Sequence, residues 1–152
     1  MTVALILPDR IVSDSRLSFG DTNHTVGKIF RTQDGSLYVT AGDSRLTSIF
    51  ERFMKAGTDP GSIDAKDDEA FEAALLKPDG RIVIYDTYFS SFLIGDSWTA
   101  IGSGSDVARS WYMNGASPEE AIKKVCEVRN DCGLPTVTVF LKEKKRNDRR
   151  DR

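Results

Sequence analysis

The sequence predicts an α+β domain in which two sheets face each other under helical layers. Three observations carry that expectation. β-favouring runs broken by turn residues open the chain and recur between Arg81 and Ile101. Apolar residues at three- and four-residue spacings mark helices after Asp43 and after Ser105. An alternating segment, Val137 to Leu141, closes the pattern.

Taken in order, Thr2 to Leu7 and Ile11 to Arg16 are strands around the turn residues Pro8 and Asp9. A polar stretch from Gly20 to Gly27 separates this hairpin from a second one. Its strands, Lys28 to Thr32 and Leu37 to Thr40, are joined by Gln33-Asp34-Gly35, and Asp-Gly is a strong hairpin signal. Leu46, Ile49, Phe50 and Phe53 then share a helical face, with Asp43 or Ser44 as N-cap and a stop near Gly57. A second helix is expected over Asp64 to Leu76, with Ala70, Phe71, Ala74 and Leu75 on one side. Strands follow at Arg81 to Asp86, Thr87 to Ile94 and Trp98 to Ile101, rich in β-branched and aromatic residues. Val107, Ala108, Trp111 and Tyr112 share a third helix. Ser117-Pro118-Glu119-Glu120 is a capping box, with Pro in the first helical position of a helix running to about Asn130.

A chain of 152 residues fits one domain, which we place at 1–141, followed by a charged tail at 142–152. The tail holds seven basic and three acidic residues, so against a whole-chain charge of -2 the body carries six net negative charges. A short mixed-charge terminus is read as a solubilising end, and the composition does not point to nucleic acid. No apolar run is long enough to span a membrane, and no basic-then-apolar leader opens the chain, so the expected compartment is the cytoplasm. Cys126 and Cys132 match no zinc or redox spacing and are read as reduced thiols, with no metal or other cofactor expected.

The start Met1-Thr2 carries chemistry if Met1 is removed. Thr2 would then bear a hydroxyl nucleophile and a free α-amine, whose pKa of roughly 7.7 to 8 lets it act as the base near neutral pH. Ser13-Asp14-Ser15-Arg16 adds a carboxylate and a guanidinium. A three-residue Pro8-Asp9-Arg10 loop would pair Leu7 with Ile11, Ala4 with Asp14 and Thr2 with Arg16, putting Thr2, Asp14 and Arg16 on one face. A two-residue turn would send Asp14 to the other face. By pattern alone, an ion pair at a strand end is the simpler account of Asp14 and Arg16. Lys28 opens a strand, and beside Thr2 its charge would lower the pKa of the amine; a solvated strand-end lysine is the commoner reading. Ala41-Gly42, at a strand-to-helix junction, offers N–H groups to an oxyanion, or Gly42 simply shapes the turn. Gly102-Ser103-Gly104-Ser105 precedes a helix but lacks the Lys of a phosphate-binding loop. His24, the single histidine, is read as solvated in a polar loop.

In order and spacing these pieces resemble the proteasome β-subunit and HslV family of N-terminal-nucleophile hydrolases across nearly the whole chain except the tail. The quoted segments are Thr2-Val3-Ala4, Ser13-Asp14-Ser15-Arg16, Gly27-Lys28-Ile29, Thr40-Ala41-Gly42, Ala100-Ile101-Gly102-Ser103-Gly104-Ser105, and Asp131 after the helix led by Ser117. The similarity is strongest to small phage and bacterial homologues that also start at Met-Thr. The resemblance implies a four-layer αββα sandwich of two antiparallel sheets. It also implies peptide hydrolysis through an acyl-enzyme on Thr2, a six- or seven-subunit ring, single or doubled, unfolded-protein or peptide substrates, and an ATPase unfoldase partner. Its site would comprise Thr2, Lys28 tuned by Asp14 and Arg16, Ser103 and Asp131 as supports, the Gly42 N–H for the oxyanion, and Thr40 and Ala41 along the substrate. The sequence departs from the family in its short opening loop, in Gly133-Leu134-Pro135 after Asp131, and in Leu134 where a second supporting serine is expected. The rival expectation is a catalytically silent ring or binding protein of the same fold, acting on a host proteolytic system.

Overall fold

A computed structural model describes residues 2–19, 21–130 and 132–142. Its elements are β1 (Val3–Ile6), β2 (Arg10–Ser13), β3 (Arg16–Phe19), β4 (Thr22–Thr25), β5 (Ile29–Arg31), β6 (Leu37–Gly42), α1 (Ser44–Ala56), β7 (Phe71–Leu76), β8 (Ile82–Tyr85), β9 (Ser91–Leu93), β10 (Thr99–Gly102), α2 (Ser105–Met113), α3 (Pro118–Val128) and β11 (Val137–Phe140). One antiparallel sheet runs β10-β1-β2-β11 and another β5-β6-β7-β8-β9, while β3 and β4 form a separate ribbon. Side-chain alternation along each strand divides the interior into three apolar layers. Val3, Leu5 and Val12 face Ala108, Ala121, Ile122 and Val125 of α2 and α3. On the other side of the same strands, Ala4, Ile6 and Ile11 meet Leu37, Val39, Ala74 and Ile82 of the second sheet. Beyond it, Tyr38, Phe71, Ala73 and Tyr85 pack on Leu46, Phe50 and Met54 of α1. The stacking is the αββα sandwich, with α1 alone covering the second sheet among the described residues.

Local signals set the helix ends. Asp43 precedes α1, and Gly57 closes it at φ 70°, its N–H returning to the last turn. Ser117 accepts the Glu120 N–H through its hydroxyl, as a capping serine should.

Four expectations need correction. The helix over Asp64 to Leu76 does not form; its second half is the central strand β7. Ala, Glu and Leu favour helix in isolation, but Phe71, Ala73 and Leu75 are buried on one face and Ala74 and Leu76 on the other, a two-sided burial that a strand satisfies. Gly20 to Gly27 is not simply a connection, because Thr22–Thr25 pairs with Arg16–Phe19. All four β4 residues are exposed, so no apolar alternation announces the strand; His24 is exposed there as expected, but on a strand. Thr87 to Ser90 is a turn and not strand, because the Asp86 carboxylate accepts the Tyr88 and Ser90 N–H groups.

The fourth correction concerns the opening hairpin. Ala4 pairs with Ser13, Leu5 with Val12 and Ile6 with Ile11, and the Leu7 N–H donates to the Arg10 carbonyl at 2.8 Å. The connection is therefore the two-residue turn Pro8-Asp9. This register sets Leu5 against Val12 and Ile6 against Ile11, each pair within one apolar layer. It also starts β2 at Arg10, which a three-residue loop would have forced toward a left-handed backbone.

Candidate active site

The register that should have turned Asp14 away from residue 2 does not do so, because Asp14 ends the ladder. Its own N–H donates to the Val3 carbonyl at 3.2 Å, as in a regular pair. The returning bond is made differently. The Val3 N–H donates to Asp14 Oδ1 at 3.2 Å, while the Asp14 carbonyl accepts the Ser13 hydroxyl. The carboxylate has taken its own carbonyl's place, so it lies in line with the ladder and not on either face. It thereby touches the peptide group that joins Thr2 to Val3.

That carboxylate is fully buried and heavily bonded. Besides Val3 it accepts the Gly133 N–H at 3.2 Å and the Arg16 N–H at 3.4 Å. Lys28 Nζ lies 3.1 and 3.0 Å from its two oxygens, with the lysine side chain 9% exposed and the aspartate 0%. Ser15 secures the geometry. Its N–H donates to the Gly133 carbonyl, its hydroxyl to Pro135, and its carbonyl accepts the Val26 N–H, which delivers the chain to Lys28 two residues later. The Arg16 guanidinium does not lie opposite Thr2. It donates to the Asn130 carbonyl at 3.1 Å, and any side chain at Gly133 would strike it. Asp131 and Met1 lie outside the described residues, although Asn130 and Gly133 on either side of Asp131 are both tied to the Asp14–Arg16 segment.

Thr2 is half-buried, and the alternation of β1 places it on the inter-sheet side with Ala4 and Ile6. Its carbonyl accepts the Ser103 N–H at 2.9 Å. Gly102, opposite Val3, must be glycine: φ is +91°, and a Cβ there would sit 1.9 Å from the Thr2 carbonyl oxygen.

In the second sheet, β6 supplies the junction to α1. The bond from Asp43 N–H to the Ala70 carbonyl makes the next ladder position, Gly42 opposite Phe71, one whose N–H points away from β7. The ladder with β5 ends at Ile29 opposite Val39, so the Gly42 N–H is directed past the end of that strand, beyond Lys28. Gly42 is exposed at φ +123°, and a Cβ would overlap the Ala70 carbonyl. Thr40 is half-buried and shares the α1 face with Tyr38, whereas the side chain of Ala41 belongs to the inter-sheet core.

One residue near the site escaped sequence reading. Glu72, assigned there to a helix, lies on β7 and reaches across to the first sheet, where its Oε2 accepts the Gly102 N–H at 3.2 Å. Read as a strand, Glu72, Ala74 and Leu76 would have shared a face, leaving a carboxylate at the end of an apolar row; that was the available signal. Neither Cys126 nor Cys132 is in a disulfide, and burial, followed by the hydrogen bond with Cys132, pushes the Cys126 thiol up to about 12. It is therefore no nucleophile at neutral pH.

By sequence, no family model and no curated protein matches the chain. By structure it is similar to the BPH protein of Thiobacillus denitrificans (TM-score 0.66, 17% identity, 92% of this chain and 97% of that one). The same protein in complex with epoxomicin gives 0.65 at 17% identity, again over 92% and 97%. HslV from Trypanosoma brucei aligns with TM-score 0.62 at 14% identity over 92% and 98%. The chain thus shares, over nearly its whole length, the αββα sandwich fold of these structures.

Proposed function

We propose that this protein is a threonine-type peptidase in which Thr2, exposed by removal of Met1, is the nucleophile. The buried Asp14–Lys28 pair carries the reading, because it abuts the Thr2–Val3 peptide in a fold shared with HslV. A buried ion pair is an expensive way to stabilise a sheet end, and a fixed ammonium beside an α-amine has a chemical use. The Thr2 hydroxyl attacks the substrate carbonyl carbon, and its proton passes to the neutral Thr2 amine. The oxyanion is received by the Gly42 N–H. The C–N bond then breaks, the ammonium returns the proton to the leaving amine, and an ester on Thr2 remains. Water, deprotonated by the same amine, hydrolyses that ester. Lys28 lowers the pKa of the amine so that it is neutral when needed, Asp14 holds Lys28, and Ser103 and Asp131 support the amine end. Thr40 and Ala41 lie along the bound peptide, with Thr40 at its specificity pocket.

Intact-mass measurement combined with turnover of a fluorogenic peptide tests this directly. Loss of Met1 together with turnover is expected. Retained Met1 and no turnover would instead favour the silent ring of the same fold, since the blocked amine cannot serve as base. Arg16→Ala should cost about 10-fold in kcat/KM, because its guanidinium braces the Asn130–Gly133 segment and does not meet Thr2. A loss as large as that of Lys28→Ala would overturn that placement.

We further propose assembly into a closed ring in the cytoplasm that admits unfolded chains supplied by an ATPase. Multi-angle light scattering should give about six or seven subunits or twice that number. A monodisperse monomer at micromolar concentration would refute the ring.

A further inference from the structure

We propose that Glu72 is a positioning residue of the Thr2 site, reaching across the gap between the sheets to hold the turn that fixes residue 2. The inference rests on the threonine-peptidase reading for its consequence, but its geometry stands independently.

The Ser103 N–H to Thr2 carbonyl bond makes the preceding pair, Gly102 opposite Val3, one in which the Gly102 N–H points away from β1. Among the described residues strand β10 is the edge of its sheet, with no further strand beside it to receive that N–H. Glu72 does so at 3.2 Å, from a strand of the other sheet. Gly102 lies so close to the Thr2 carbonyl that no side chain fits between them. A displacement of the turn is therefore passed directly to Thr2, both through that contact and through the Ser103 N–H. Residue 2 is thus held from two flanks by carboxylates: by Asp14 at the Val3 N–H, and by Glu72 through Gly102.

The chemical choice at position 72 supports this role. Ala74 and Leu76 continue the same face of β7 as fully buried apolar residues, and Glu72 ends that row half-buried. An apolar side chain would extend the inter-sheet layer without the cost of desolvating a carboxylate. What a leucine could not do is accept an N–H.

The test compares wild type with Glu72→Leu, Glu72→Asp and Glu72→Gln, using Thr2→Ala as the zero of activity. Leucine removes the acceptor, aspartate withdraws it by one methylene, and glutamine keeps an acceptor oxygen at the same reach. Leucine and aspartate are expected to lower kcat about 10- to 100-fold with KM within about twofold, since a 1 Å misplacement near the reacting atoms costs on that order. Glutamine should restore kcat to within about threefold of wild type. Amide exchange at Gly102, followed by NMR, should be slow in wild type and Glu72→Gln and faster in the other two. Should Glu72→Leu fail to fold, the soluble, charge-conserving aspartate variant carries the comparison. Wild-type kcat with unchanged Gly102 exchange in Glu72→Asp would overturn the proposal. If wild type turns over no faster than Thr2→Ala, the peptidase reading fails, while the Gly102 exchange rates still decide whether Glu72 holds the turn.

Discussion

Replacing Thr2 by alanine is expected to reduce peptide turnover by at least about 10⁴-fold, because the proposed mechanism gives the nucleophile's role to its hydroxyl alone. The half-buried Cys126 thiol is pushed up to about 12, and Ser103 has no amine of its own to serve as base. The fold should survive. Residue 2 is anchored through main-chain atoms, its carbonyl to Ser103 and the following N–H to Asp14, and an alanine keeps both bonds. A change in unfolding free energy within about 0.5 kcal/mol is therefore expected, measured by chemical denaturation beside the turnover assay. Activity in the wild type should rise with pH as the Thr2 ammonium loses its proton, because the proposed mechanism uses the neutral amine as base. Turnover undiminished in Thr2→Ala would remove the proposed mechanism.

What could be read in the sequence was local. Gly57 closes α1 and Ser117 caps α3 through bonds between residues at most a few positions apart, whereas the Asp43 carboxylate ahead of α1 makes no cap bond and accepts the distant Ala70 N–H. The Asp-Gly turn between β5 and β6 belongs to the same class. What could not be read depends on partners distant in sequence. Whether Phe71 to Leu76 is helix or strand is decided by α1 on one side and the first sheet on the other, neither of which the segment encodes. In the ribbon of β3 and β4, Leu17, Ser18 and all of Thr22 to Thr25 are exposed, so among the described side chains no apolar period marks it.

The site shows the same division in one place. Lys28 beside Asp14 is what the family resemblance implies, yet face parity, which makes that contact depend on a three-residue loop, does not govern it. Face parity describes residues inside a ladder, and Asp14 is the residue at which the ladder stops. Its carboxylate stands in for a backbone carbonyl, an exchange that an alternating pattern cannot express.

Asp14→Asn should be the most destabilising isosteric change in the protein, because the site asks for acceptors alone. The two carboxylate oxygens receive the Val3, Arg16 and Gly133 N–H groups and both contacts from Lys28 Nζ. Asparagine offers one oxygen and one NH₂ group, and whichever way it turns, the NH₂ meets donors. With its oxygen toward Val3, the Gly133 and Arg16 N–H groups lose their acceptor; turned the other way, the Val3 N–H does. Each buried donor left unpaired costs about 1–3 kcal/mol. Lys28, its side chain 9% exposed, also loses its counter-charge, and breaking a buried pair from one side typically costs about 3–5 kcal/mol. These costs overlap, so about 3–5 kcal/mol in all is expected from urea denaturation. Asp14→Asn with Lys28→Met should recover part of it, since the second change removes the ammonium that has lost its Asp14 counter-charge. Turnover should be lost in both variants. An Asp14→Asn protein within 1 kcal/mol of wild type would mean that the carboxylate is not the charged hub of the site, and Lys28 would then need another reason to be buried beside it.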